Sequence, residues 1–333
     1  MRSTRAWWIV LLILAVSVAL PACDPQVEDP VGTAGGGGEG AGAAADKGGS
    51  LSHGGYADFN VVLVSLDAIA AKHVGTYGYP KDTTPTLDAL AADSFVFERC
   101  VAAGSWTVPS TMSIFTGLWP SVHQVLNKYT VAGPATMVNT RLNPAIPTIP
   151  DQLGRNGYRL VAFTGDAGAN GRFGYDRGFE VYLDDVKFGG LDHSVPAAQE
   201  WLRENAGSKF FMFLHGYDAH GQYDPAEGYR NVFVDEKYKG AMKGGKEEQG
   251  ELRELGLANK FKPGAQGEAV LDLHPSDFEF HAALYDEKIQ DADARLAGFL
   301  ATLAELGLDE KTIVVVTADH GEEFGEHGYL DHG

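Results

Sequence analysis

Positive charge is scarce in this chain. Lys and Arg number 26 against 45 Asp and Glu, which leaves a net charge of −19 at pH 7. That balance speaks against nucleic acid as a partner, because nothing in it would neutralise a phosphate backbone. Cysteine is scarcer still, at two residues, Cys23 and Cys100. Cys23 belongs to an N-terminal motif described below, so one thiol remains and an intrachain disulfide is excluded. Cys100 stands among Phe95, Phe97 and Val101 and reads as a buried structural cysteine. The apolar stretch Trp7–Leu20 is short for a membrane span. What is present suffices for a core: 44% of residues are hydrophobic, and 333 residues allow one large domain or two smaller ones.

Residues 1–23 read as a leader rather than as fold. Arg2 and Arg5 form a positive n-region, and Trp7–Leu20 is the apolar h-region. The segment ends in Leu20-Pro21-Ala22-Cys23, which resembles the bacterial lipobox, where the cysteine is diacylated and becomes the new N-terminus. A non-cleaved anchor is the alternative. Asp24 resembles the inner-membrane retention signal of some bacteria. The expected location is therefore the bacterial cell envelope, lipid-anchored, on the periplasmic or cell-surface side. Residues 24–58 read as a tether: nearly half of residues 32–55 are Gly, too little apolar surface to offset ordering entropy.

The folded part, residues 59–333, alternates strand and helix signals. Phe59–Leu66, Tyr158–Thr164, Lys209–Leu214 and Thr312–Thr317 are apolar or β-branched runs of the kind buried on both faces of a sheet. Helical patterns lie near Pro85–Ser94 and over Ile149–Asn156, Ala197–Asn205 and Phe280–Leu306. The alternation predicts a parallel α/β sheet flanked by helices. Residues Pro225–Asp277 are charged and Gly-rich, and read as a surface insertion over the site or as a solvated loop.

Ser105–Gly117 (SWTVPSTMSIFTG) has the marks of a short helix, with Pro109 suited to a first turn and Gly117 to a C-terminal stop. Thr107 then sits at its mouth, where free N–H groups and the helix dipole attract an anionic ester and stabilise an alkoxide. Alone, Thr107 could be no more than a cap. The other strands supply context, because ligands of such sheets gather at the carboxyl ends of the strands. Three strand ends carry candidates: Asp67; His215 with Asp218 and His220; Asp319 with His320. Carboxylates and imidazole make a mixed site suited to one divalent cation, Zn²⁺ or Mn²⁺ and less specifically Ca²⁺ or Mg²⁺. A cation there would lower the pKa of the Thr107 hydroxyl and neutralise ester oxygens.

NVVLVSLD (Asn60–Asp67), GTYGY (Gly75–Tyr79), TPTLDALA (Thr84–Ala91), SWTVPSTMSIFTGLWPSVHQV (Ser105–Val125), FGYDRGFE (Phe173–Glu180), FFMFLHGYDAHGQYDP (Phe210–Pro225) and VVVTADHGEEFGEHG (Val314–Gly328) together resemble the sulfatases and sulfatase-like hydrolases of the alkaline phosphatase superfamily. The resemblance runs from about Asn60 to the last residue. It implies a phosphatase/sulfatase-like α/β sandwich with a mostly parallel central sheet, and hydrolysis or transfer through a covalent intermediate. The family continues past Asp331-His332-Gly333 into another strand and a C-terminal subdomain, so a truncated sequence is expected.

Three departures bear on chemistry. The formylglycine pattern C/S-x-P-x-R is Thr107-Val108-Pro109-Ser110-Thr111, so no formylglycine is expected and the assisting arginine is absent. The paired aspartates are Asp67-Ala68, and the K-x-H set is Gly165-Asp166-Ala167. What remains looks like the single-metal site of threonine-nucleophile relatives, the phosphoglycerol and phosphoethanolamine transferases. It implies Thr107 as nucleophile and Asp67, Thr107, Asp319 and His320 around the metal. It also implies His220 or His332 as leaving-group acid or ester-oxygen contact, and His215 and His220 as substrate contacts. The expected substrate is an anionic ester: a sulfated or phosphorylated glycan, lipid or small molecule. Three readings stand: an ester hydrolase, a head-group transferase, and a catalytically inactive binding protein that kept the fold.

Overall fold

Six of the seven residues of Asn60–Leu66 are buried, and every residue of Phe210–Gly216 is. Strands this apolar cannot face water, and they form the middle of a parallel sheet covered on both sides. The computed structural model describes residues 9–11, 56–133, 136–257, 273–327 and 330–332. Cys23, most of the leader and most of the tether lie outside the described residues.

The strands are β1 (Ile9–Leu11), β2 (Asn60–Leu66), β3 (Ser94–Val96), a hairpin β4–β5 (Tyr129–Gly133 and Thr136–Asn139), β6 (Arg159–Phe163), β7 (Val181–Leu183), β8 (Phe210–Gly216), β9 (Thr312–Thr317) and a second hairpin β10–β11 (Glu323–Phe324 and Leu330–Asp331). The helices are α1 (Pro85–Ala91), α2 (Thr107–Thr116), α3 (Pro120–His123), α4 (Ile149–Arg155), α5 (Leu191–Asn205), α6 (Lys246–Leu257) and α7 (Pro275–Glu305). The main sheet has the order β3-β1-β9-β2-β8-β6-β7, with every pairing parallel. Its β9-β2-β8-β6-β7 portion matches the expected α/β architecture. Ile9–Leu11, within the expected leader, pairs with Ser94–Val96 on one side and Val314–Val316 on the other.

Alternate residues of the strands feed two cores. Val62, Val64, Met212, Leu214, Val314 and Val316 pack with the α5 and α7 side chains Trp201, Leu202, Tyr285, Leu296 and Phe299. Leu63, Phe211, Phe213 and Ala162 pack on the other face with Val108, Met112 and Phe115 of α2. Helix α2 is thus pressed onto the sheet beside the strand ends.

Several expectations shift. Helix α5 begins at Leu191 rather than Ala197, because the Asp218 carboxylate accepts the Leu191 N–H at 2.7 Å and starts the helix early. Asp218, one of the strand-end candidates, is therefore a helix-capping residue. Helix α7 begins at Pro275, where His274 and Asp277 form a capping box and Pro stands in the first turn. Residues 225–277 are not all solvated loop, since α6 buries Gln249 and Leu252. Cys100 is partly exposed, and its neighbours Phe95 and Val101 are 63% and 62% exposed. The apolar surroundings of that thiol lie on the surface rather than in a core.

The GTYGY segment owes its place to one buried carboxylate on α7. Asp286 accepts from His73 Nδ1 at 2.7 Å, from the Tyr79 hydroxyl at 2.6 Å and from Lys81 Nζ at 2.8 Å. Removing it strands a buried imidazole and a phenol. Asp286→Ala is expected to destabilise the fold by about 3 kcal/mol, and Lys81→Ala, at a part-exposed ammonium, by under about 1 kcal/mol. Denaturant unfolding followed by circular dichroism checks both.

Candidate active site

Strand β2 delivers Asp67 at its carboxyl end, β9 delivers Asp319 and His320, and β8, between β2 and β6, delivers His215. Register fixes the level: Ser65 lies opposite both His215 and Thr317. Asp67, His215 and Asp319 have no solvent exposure, and His320 has 2%. Opposite them stands the first residue of α2. The helix cap is Trp106, which makes no side-chain capping bond, so Thr107 is the first helical residue and not a cap. Its hydroxyl turns to the strand ends instead. Thr107 Oγ1 donates to Asp67 Oδ2 at 3.1 Å and lies 3.4 Å from His320 Nε2.

Around that hydroxyl the ligand-capable atoms converge. Asp67, Asp319 and His320 each offer an atom within 4.8 Å of the others. His320 Nε2 is 3.8 Å from Asp67 Oδ1 and 3.6 Å from Asp319 Oδ2. His320 Nδ1 meets the Gly321 carbonyl at 3.1 Å, which puts the proton there and leaves the Nε2 lone pair facing the site. Asp319 Oδ1 is held by the N–H groups of Ala68 and His320, and the Ser110 hydroxyl donates to the Asp319 carbonyl. Asp67 Oδ1 has no hydrogen-bond partner. Burial, and then the adjacent Asp319 carboxylate, lift Asp67 well above the usual carboxylate range. Two buried carboxylates side by side, one with an unsatisfied oxygen, and an imidazole lone pair are a donor set that fits a divalent cation.

His215 lies deeper than a substrate contact would. Its Nε2 is 3.4 Å from Asp67 Oδ2, yet neither nitrogen makes a hydrogen bond, and burial lowers its pKa to about 4. His220 and His332 meet edge to face. The His332 ring is 4.3 Å from that of His320 and 4.7 Å from that of His220. Burial, and then the charge on His332, lower His220 to about 3. His332 goes the other way. Burial works against its charge, but Glu322 and Asp331 outweigh it and hold the imidazole well above its ordinary value. Its Nδ1 lies 2.7 Å from Glu322 Oε1 and 2.8 Å from Asp331 Oδ1. The β10–β11 hairpin makes this possible by pairing Glu323 with Asp331. Arg253 of α6 closes on Asp331 from outside.

Sequence reasoning had missed Tyr217, Gly168, Glu322, Asp331 and Arg253. Tyr217 Oη accepts the Gly168 N–H at 2.5 Å and stands beside Thr107. A β-carbon on Gly168 would run into the Thr107 side chain and the Tyr217 hydroxyl, so the loop after β6 passes Thr107 only as glycine. No motif spacing marks these contacts. The carboxylates flanking His332 were legible in principle, since Asp331 is its neighbour and Glu322 follows the Asp319-His320 pair by two residues.

The sulfatase family profile matches residues 59–333. An arylsulfatase of Clostridium perfringens is 22% identical over 82% of this chain and 65% of its own length. The phosphonate monoester hydrolase of Agrobacterium radiobacter superposes with a TM-score of 0.59 at 19% identity, over 82% of this chain and 64% of that one. The C-terminal periplasmic domain of EcEptC from Escherichia coli, solved with Zn, gives a TM-score of 0.54 at 18% identity, over 83% of this chain and 68% of that one. The chain thus spans about two thirds of the length of these relatives, and at these identities the solved structures speak for the fold. With the matched profile, the strand-end carboxylates and the helix-borne Thr107 on one site, the chain belongs to the sulfatase family.

Proposed function

We propose that this chain hydrolyses sulfate or phosphate esters through a covalent intermediate on Thr107. The observation that carries this is the Thr107 hydroxyl at the open end of α2, 3.1 Å from Asp67 Oδ2 and 3.4 Å from His320 Nε2. Asp67, Asp319 and His320 would hold a divalent cation, which when bound supplies Lewis-acid stabilisation of the nucleophile and the ester oxygens. Ca²⁺, Zn²⁺ and Mn²⁺ all suit that donor set.

The residues divide the remaining work. Thr107 Oγ1 forms the bond to sulfur or phosphorus while the bond to the leaving oxygen breaks. The hydroxyl proton has an acceptor in Asp67 Oδ2. The leaving oxygen takes a proton from His332, whose imidazole its surroundings keep charged. His220, kept neutral, contacts an ester oxygen. Water then cleaves the threonyl ester, passing its proton to His332 as Thr107 recovers its own. Tyr217 and the first turn of α2 face the anionic oxygens.

A transferase reading shares the same covalent step and differs in the acceptor. Threonine in the nucleophile position, as opposed to a residue that can become formylglycine, favours keeping it in view. The N-terminal lipobox-like segment supports a cell-envelope location, with a lipid on Cys23 holding the catalytic domain at the membrane.

Three outcomes are expected. Metal-loaded protein turns over at least one of 4-nitrophenyl sulfate, phosphate or phosphodiester, chelator abolishes this, and Thr107→Ala lowers kcat by about a thousandfold or more. His332→Asn costs about 10²-fold or more on alkyl esters, which need a protonated leaving group, and under tenfold on nitrophenyl esters, which do not. Equal losses on both would remove His332 from the acid role. Product analysis with glycerol or ethanolamine added gives free sulfate or phosphate for a hydrolase, and the alkylated ester for a transferase.

A further inference from the structure

In a chain with this excess of acid, unpaired cations gathered in one place need a reason. Lys128, Arg172 and Lys187 come from three separate segments, and none forms an ion pair with a described carboxylate. The carboxylates close by are otherwise engaged. Asp166 takes the Asn170 side chain, Asp184 takes the Gly171 N–H at 2.9 Å, Asp185 pairs with His193 at 3.0 Å, and Asp176 pairs with Arg141 at 3.1 Å.

Backbone contacts tie together the segments that carry the three cations. The Lys128 carbonyl accepts from Thr140, Leu142 N–H donates to the Phe173 carbonyl, and Arg141 Nη1 reaches the Arg172 carbonyl at 3.5 Å. That ties the segment before β4 to the loop after β6. The same loop passes Thr107 at Gly168 and bonds to the loop after β7 through Gly189 N–H and the Gly165 carbonyl, at 3.1 Å. Lys187 rides 5.2 Å over the Phe188 ring, and Phe188 lies 5.4 Å from both Tyr217 and His220. On the far side Arg253 faces Asp331, next to His332. Arg172 and Lys187 are exposed and Lys128 is half-buried. Burial, and then the charges of Arg172, Lys187 and Arg253, push the Lys128 ammonium below its ordinary value, against the opposing pull of Asp166.

We infer that Lys128, Arg172 and Lys187 form a second anion subsite at the mouth of the Thr107 site, and that the preferred substrate carries a further sulfate, phosphate or carboxylate beside the ester that is cleaved. This deepens the ester-hydrolase reading and rests on it. A doubly anionic substrate would place one group at Thr107 and the other on the rim, where Lys and Arg offer several donors, the Lys128 ammonium in a partly desolvated position.

The test is calorimetric binding to the full chain carrying Thr107→Ala, with glucosamine 6-sulfate against glucosamine 2-N,6-O-disulfate, and glucose 6-phosphate against glucose 1,6-bisphosphate. In at least one pair the doubly charged probe is expected to bind about tenfold or more tightly. Lys128→Gln/Lys187→Gln in that background should erase the preference while leaving the singly charged probe within about threefold. Arg172→Gln and Lys187→Gln, both at exposed positions, should each remove part of it without moving the unfolding midpoint. No preference in either pair, or equal weakening of both probes by the rim changes, overturns the inference. Failure of the unsubstituted, metal-loaded chain to turn over any monoester would instead contradict the catalytic reading, and the binding preference is scored apart from it.

Discussion

Asp67 and Asp319 are forced together by the sheet. They follow β2 and β9, neighbours in register, so their carboxylates meet at the same edge with no exposure to water. Two like charges buried at that range are unfavourable unless something positive lies between them. His320 Nε2 faces the spot, and Asp67 Oδ1 is left without a hydrogen-bond partner. The rest of the site follows from this one constraint, because Thr107 and His320 contact Asp67 and the α2 residues Ser110 and Thr111 contact Asp319.

A second charge pattern surrounds the first. His215 and His220 are held neutral by burial, while His332 is held charged by Glu322 and Asp331. Three imidazoles in one site are thereby given different protonation states by their surroundings alone. Both residues that clamp His332 lie on or beside the β10–β11 hairpin, and Arg253 of α6 braces it from outside. The insertion that reads as a charged surface loop thus reaches the carboxylate beside His332.

Much of this was legible in the sequence, for a physical reason. A buried parallel strand must be an apolar run, and the residue after it must stand at the carboxyl edge, so Asp67, His215 and Asp319 could be placed together before any coordinate. Thr107 was legible because Pro109 and Gly117 bracket its helix. Asp218 had the same sequence standing as Asp67 but caps α5, since backbone N–H demand at a helix start is invisible in a strand-end pattern. Gly168 beside Thr107, Tyr217 beside Gly168, and the grip of Asp286 on His73, Tyr79 and Lys81 depend on contacts across tens to hundreds of positions. Cys100 misled because an apolar neighbourhood in sequence can lie on the surface in space.

The central claim is that the buried acidic pair is built around a cation. Metal analysis of purified protein, with unfolding midpoints measured before and after chelation, tests it most directly. The account predicts one tightly held divalent ion per chain. It also predicts a midpoint that falls by several degrees on chelation, and loss of both properties in Asp67→Asn/Asp319→Asn. A chain that binds no divalent ion, or a double variant that keeps a stoichiometric ion and the same response to chelator, would contradict it.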